Sequence, residues 1–339
     1  MLDQSPIPSG STPGDALRNS IDLAAHADEL GYTRYWLAEH HNSTSLAGSS
    51  PEILIGQVAA ATRRIRVGSG GVMLSHYSPL KVVENFRVLH ALFPHRIDLG
   101  IGRAPGSDQL TARALRPDHG SAGEDDFPRQ LGELIGFLEG RFAPGHPFAA
   151  IDPSPQAPGG PELWLLGSSG FSAAYAAHLA VPFCHAHFIS PADSEQVTAQ
   201  YRASFDRRDG GEPRVALAVS VICGEDDDDA ERLALSSRVW RRRRAAGRPG
   251  PVPSVAEALA EPPEDPRTSR NLLRPPGRLI LGGPYEVRTQ IEELAEAHGA
   301  DEVVIVTIVH DHQARRRSYE LIAKAFELSA PSEPSEHLR

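Results

Sequence analysis

The feature that most constrains this chain is an alternation of short β-branched or apolar runs with amphipathic runs, sustained almost from end to end. Strand-like runs fall at 2–4, 34–38, 65–72, 97–101, 163–166, 183–188, 215–223 and 303–309, and a helical pattern follows each of these eight. Strands that alternate with helices run parallel and are joined by right-handed crossovers. Eight repeats predict a closed (β/α)8 TIM barrel with loop insertions, in preference to an open doubly wound sheet. One such domain, 1–339, accounts for the whole chain.

Two helix starts are sharply marked. Ser50-Pro51-Glu52 opens a helix carrying Ile53, Val58 and Ala61, and Ser78-Pro79 opens one carrying Val82, Val83, Phe86 and Leu89. In both, serine is expected to cap free amides, and proline to occupy the first turn, where its missing N–H costs nothing. Two regions break the rhythm. Residues 144–161 and 248–277 are rich in Pro and Gly and read as long loops, the second with a helical island at 255–260. Loops that long in a compact domain are usually functional insertions. The first strand is short, as it would be if its leading residues lay upstream of the start methionine.

Composition excludes several function classes. A net charge of −10 repels phosphate backbones and argues against nucleic-acid binding. The exception is the basic run Arg241–Arg244. It ends a helix-like stretch opened by Asp226–Asp229, an order that suits the helix dipole and reads as a solvated helix end. Two cysteines, Cys184 and Cys223, are too few for a disulfide framework and point to a reducing cytoplasm. The N-terminus has neither the basic start nor the apolar run of a signal peptide, and no 18-residue apolar stretch suggests a membrane span.

In such a barrel the chemistry sits where strands end. The second strand ends Glu39-His40-His41-Asn42, an acid and two imidazoles that could ligate a metal, move protons or merely form a polar rim. His185 and His187 stand two apart near the sixth strand's end and raise the same zinc question, although no strand end offers the further carboxylate a zinc site normally needs. The third strand contains Gly68, Gly70 and Gly71, which signal a bulge, a tight bend or the close approach of a flat ligand. The fourth ends Gly102-Arg103, a cation suited to phosphate or an electron-rich oxygen. The fifth ends Gly167-Ser168-Ser169-Gly170-Phe171-Ser172 directly before a helical run, offering free amides at a helix start, the usual means of holding phosphate. Rossmann and P-loop spellings are absent, so the phosphate belongs to another cofactor class.

Together these segments resemble the bacterial-luciferase-like flavin-dependent monooxygenases, especially their single-chain oxidoreductases. The resemblance covers most of the chain and is carried by LDQSPIPSG, LGYTRYWLAEHHN, RIRVGSGGVMLSHYSPLKVVENFRVLHALFPHRIDLGIGRAPGSD, LWLLGSSGFSAAYAA and LGGPYEVRTQIEEL. It implies a barrel holding reduced flavin mononucleotide (FMN) at the strand C-termini, with His40 catalytic and Arg103 beside the flavin. Ser169, Gly170, Phe171 and Ser172 would cradle the phosphate, and a bulge at Gly70-Gly71 would support the ring. Where luciferase itself has a reactive cysteine, this chain has Gly102, so no thiol chemistry is implied. The implied reaction uses reduced FMN from a separate flavin reductase, together with oxygen, to oxidise a small organic substrate, and no metal is expected. The resemblance places the pKa of His40 near working pH. A homodimer is the expected assembly. The Arg-, Pro- and Ala-rich composition suggests a GC-rich genome, where such enzymes often tailor natural products. Two alternatives remain: a deazaflavin-dependent dehydrogenase, and a non-catalytic flavin-binding barrel.

Overall fold

The computed structural model describes residues 1–103, 108–115, 126–207, 210–261 and 279–329. Most of the second proline-rich region, 262–278, therefore lies outside the described residues. Strands and helices alternate as expected: β1 Leu2–Asp3, α1 Pro13–Glu29, β2 Arg34–Leu37, α2 Pro51–Ala61, β3 Arg66–Ser69, β4 Val72–Met73, α3 Pro79–Leu92, β5 Ile97–Gly102, α4 Gln109–Leu115 and α5 Phe127–Glu139. The series continues with β6 Glu162–Gly167, α6 Gly170–His178, β7 Phe183–Ala186, α7 Ser194–Ser204, β8 Val215–Cys223, α8 Asp227–Ala245 and α9 Val255–Ala260. It ends with β9 Ile280–Gly282, α10 Pro284–His298, β10 Glu302–Val306 and α11 His312–Ala325.

The sheet runs in the order β1-β2-β3-β5-β6-β7-β8-β10, and each of these pairings is parallel. The expected third strand is split. β3 gives way at Gly70-Gly71, whose peptide bond is cis, and β4 resumes the pairing with β5. The short β9 pairs in parallel with Val221–Cys223 of β8 and has no counterpart among the strand-like runs of the sequence. The island at 255–260 is a helix as read, closed by a capping box between Ser254 and Glu257.

Side chains alternate between two buried layers, as parallel strands covered on both faces require. Tyr35, Leu37, Val67, Leu99, Leu165, Phe183, Leu217 and Val219 face the helices and join Val58, Val83, Phe86 and Leu134 in the main core. Leu2, Trp36, Ala38, Trp164, Cys184, Ala216, Ala218, Val304 and Val306 form a separate inner cluster. The helix facing β3 buries Leu54, Ile55, Val58 and Ala59, whereas Ile53 is 69% exposed. The serine caps also differ from expectation. Neither Ser50 nor Ser78 makes a side-chain cap hydrogen bond, although Pro51 and Pro79 do occupy the first turn. Pro51 and Pro79 themselves are buried.

One end of the sheet is closed by charge. Arg34, the first residue of β2, donates to Asp98 at 2.8 Å, Glu162 at 2.8 Å and Glu302 at 2.7 Å, on β5, β6 and β10. Arg66 pairs with Asp98, and Arg214 with Glu162 and Glu302. The guanidiniums of Arg34 and Arg214 each lie 4.9 Å from the centre of the Trp164 ring, and Trp36 Nε1 donates to Asp98 at 2.9 Å. In a flat sheet β2 and β10 would stand about 29 Å apart, six spacings of roughly 4.8 Å. A direct Arg34–Glu302 bond therefore requires a strongly curled sheet. Against burial, which works the other way, hydrogen bonds from Arg214 and the charge of Arg34 hold the Glu162 carboxyl down at about 2. With the N-terminal strand ends plugged in this way, the C-terminal ends are left for chemistry.

Candidate functional site

His40 continues the inner-face register of Trp36 and Ala38 beyond the end of β2. Its amide donates to the Gly48 carbonyl at 2.8 Å, which fixes the backbone. Its Nδ1 is buried with no hydrogen-bond partner among the described residues. The sequence reading put this imidazole near working pH, and the structure corrects that. Burial first, and then the charges of Arg244 and His41, lower its pKa to about 4. His40 is thus a neutral imidazole near neutral pH.

Its neighbours turn away from it. Glu39 is buried and accepts from Met73 N at 2.9 Å, Tyr77 Oη at 2.7 Å and His41 Nε2 at 2.7 Å. Burial, then the hydrogen bond to Glu39, raises the Tyr77 phenol well above its ordinary range. Glu39 and His41 therefore act internally, pinning the turn after β4 to the end of β2.

The glycines of the third strand are explained largely by backbone crowding. A Cβ on Gly71 would lie 2.8 Å from the Gly100 carbonyl oxygen, and one on Gly70 would lie 2.6 Å from Leu2. Arg103 follows β5 directly, and its guanidinium sits 4.3 Å from the centre of the Phe171 ring, a cation–π pair. Phe171 is 37% exposed although aromatic, so the pair faces open space. Ser169 is the N-cap of α6, yet its hydroxyl makes no cap hydrogen bond and stays exposed. The amides of Gly170, Phe171 and Ser172 fall in the first turn, where no intrahelical acceptor exists. Ser172 itself is buried, packed so tightly against Gly167 that a Cβ there would come within 2.4 Å of it.

These residues sit at the ends of neighbouring strands. His40 follows β2, Gly70-Gly71 joins β3 to β4, Arg103 follows β5 and Ser169 follows β6, which are consecutive in the sheet. They make an arc with an unpartnered imidazole at one end and an open helix start with an adjacent cation at the other.

Other candidates separate from this arc. His185 is fully buried and bonds the Ser190 carbonyl at 3.1 Å, while His187 meets Ser194 Oγ at 3.1 Å and that hydroxyl meets His298 at 2.7 Å. The two histidines point to different partners and pack α7 and α10 against β7. No cluster of His, Cys, Asp or Glu suited to a metal occurs among the described residues. The basic run, read as a solvated helix end, is partly that. α8 is capped by Asp226 and ends in arginines, and Arg242 and Arg243 pair with Glu261. Sequence reasoning missed that Trp240 enters the inner cluster and that Arg241 reaches Ser220 on β8 at 2.6 Å. The available signal was the run of small inward residues Ala216, Ala218 and Ser220, which leaves room for a neighbouring helix. No helix among the described residues is long and apolar enough to cross a membrane.

Comparison with known proteins agrees with this architecture. A family model described as luciferase-like monooxygenase matches residues 1–302. The chain is 39% identical to a luciferase-like monooxygenase of Escherichia coli, covering 95% of this chain and 94% of that one. It is 38% identical to the N-acetyl-S-alkylcysteine monooxygenase of Bacillus subtilis, covering 96% and 97% respectively. The crystal structure of apo-MsnO8 superposes with a TM-score of 0.89 at 44% identity, covering 97% of this chain and 98% of that one. The fold alone is shared with the FMN complex of a type II Baeyer–Villiger monooxygenase from Pseudomonas putida, at 18% identity and a TM-score of 0.70. It is likewise shared with a coenzyme F420-dependent reductase from Methanopyrus kandleri, at 16% identity and a TM-score of 0.64. The chain belongs to the luciferase-like monooxygenase family.

Proposed function

We propose that this chain is a two-component flavin-dependent monooxygenase built on a closed (β/α)8 barrel. It takes reduced FMN from a separate reductase and, with oxygen, oxidises a small organic substrate. One oxygen atom enters the substrate and the other leaves as water, the two electrons coming from reduced FMN. The observation that carries this reading is the arc itself: an open α6 start beside the Arg103–Phe171 pair, and an unpartnered buried His40 Nδ1 at the other end.

The residues present fit the cofactor. The Ser169 hydroxyl and the first amides of α6 supply uncommitted donors for a phosphate, and Arg103 adds a positive charge. The Gly70-Gly71 segment, free of side chains, allows a flat ring to lie against backbone. Reduced FMN, when bound, supplies the reducing power that activates oxygen. The protein's part is to orient, to exclude water and to place His40 Nδ1 where it can donate or accept a hydrogen bond. A neutral imidazole suits that role, because it can do either. Kinship with a monooxygenase named for a sulfur-containing amino-acid derivative supports oxygenation over hydride transfer. Anaerobic titration with reduced FMN, oxidised FMN and a deazaflavin tests the reading. Reduced FMN should bind with micromolar or better affinity, and binding of the deazaflavin alone would replace this reading with a dehydrogenase.

A further inference from the structure

The end of α8 brings a second set of unmatched groups to the C-terminal side of the sheet. Arg242 and Arg243 share the Glu261 carboxylate, and Arg241 is tied to Ser220, which is 3% exposed on the inner face of β8. Arg244 differs. It has no carboxylate partner among the described residues, and its guanidinium lies 4.7 Å from the centre of the Trp240 ring. Trp240 is 4% exposed and belongs to the inner cluster with Trp36, Trp164 and Ala38, yet its indole N–H has no acceptor among the described residues. The segment after α8 is anchored over β1 and β2. Val252 exchanges backbone hydrogen bonds with Ile7 and Ser9, and the Gly250 carbonyl accepts from Ser45. Trp240, beneath Arg244, shares the inner cluster with Ala38, two residues before His40.

An exposed guanidinium with no carboxylate partner, a buried indole N–H and a buried ring nitrogen, the last two without hydrogen-bond partners among the described residues, together resemble an anion-binding site before its ligand arrives. We propose that the C-terminal end of α8 is the substrate-recognition subsite and that it takes the carboxylate of a small organic acid between Arg244 and the Trp240 N–H, beside His40. One unpaired guanidinium and one indole donor match a monoanion with two coplanar oxygens. A phosphate dianion is better served by the amides of α6, several strands away along the sheet. The role as a substrate subsite rests on the monooxygenase reading; the binding of the acid does not.

Tryptophan fluorescence of the flavin-free protein, titrated with octanoate and with octanamide, reads this directly. Trp36, Trp164 and Trp240 are the chain's three tryptophans, and all lie in the inner cluster. Wild type should bind octanoate about ten-fold or more tighter than octanamide. Arg244→Gln should erase that preference without lowering Tm, whereas Arg238→Gln, at an arginine paired with Glu231, should keep it. Equal affinity for acid and amide, no saturable binding of either, or a preference surviving in Arg244→Gln overturns the proposal. Titration with reduced FMN in parallel separates the two claims. Acid preference without FMN binding sinks the monooxygenase reading and leaves the anion site, while FMN binding without acid preference sinks the anion site alone.

Discussion

The two ends of the curled sheet treat charged side chains in opposite ways. At the N-terminal end, Arg34, Arg66 and Arg214 meet Asp98, Glu162 and Glu302 in a network where each charge has a partner on another strand. At the C-terminal end, His40 Nδ1 and Trp240 Nε1 are buried without partners among the described residues, the Ser169 hydroxyl makes no cap hydrogen bond, and Arg103 rests on an aromatic ring. Unsatisfied buried groups cost stability, and a fold tolerates them where a ligand will complete them. The paired end holds the sheet in its curl; the unpaired end is where a ligand is expected.

That contrast predicts that mutations at the two ends fail differently. His40→Ala should reduce substrate oxidation about 10²–10⁴-fold, the usual contribution of a positioned acid–base group, while leaving Tm and flavin affinity near wild type. His41→Ala is the matched control, because His41 serves Glu39 and Tyr77 rather than open space. A larger activity loss in the control would reverse the assignment within the pair.

At the other end, Arg34→Leu removes the most buried cation of the network from three carboxylates, leaving them only Arg66 and Arg214, and should destabilise the fold by about 3–5 kcal/mol, the cost of breaking a buried ionic network. Flavin affinity per folded molecule should be unchanged. Denaturant unfolding together with FMN titration checks both halves, and a selective loss of FMN affinity would break the division between the ends.

The pH response gives a smaller effect. Burial depresses His40 to about 4 when folded, below its ordinary value near 6.5, so the unfolded chain binds the extra proton first. Stability from this group is full above about 6.5 and is lost as pH falls towards 4. Thermal melts of His40→Gln should therefore show a shallower loss across that window than wild type; identical slopes would mean that His40 is not held neutral by its surroundings. Smallest of all, Ser169→Ala should weaken binding of reduced FMN by about 0.5–1.5 kcal/mol, the net value of one hydrogen bond. No change in affinity would remove Ser169 from the phosphate cradle.

Much of this was legible in the sequence, for physical reasons. Periodicity exposed the eight core strands because parallel strands are apolar on both faces, but β9, three residues ending in Gly282, is too short to show a pattern. The glycines of the third strand were readable as a bulge, since side chains would collide with the neighbouring backbone there. The ionic plug was invisible, because Arg34 and Glu302 are 268 residues apart and look like ordinary surface charges in the sequence. The Ser50 and Ser78 caps were misread because proline at the next position identifies the helix start without obliging the serine hydroxyl to bond. The run Arg241–Arg244 looked uniform, and only the fold sorts it into salt-bridged, anchored and ring-stacked members.

The account stands most directly on the affinity of Arg103→Ala for reduced FMN, measured anaerobically beside wild type. Loss of a charge-assisted contact should weaken binding by about 1.5–3 kcal/mol, or one to two decades in Kd, with Tm unchanged. Wild-type affinity in a folded Arg103→Ala variant would contradict the placement of the flavin at this end of the sheet.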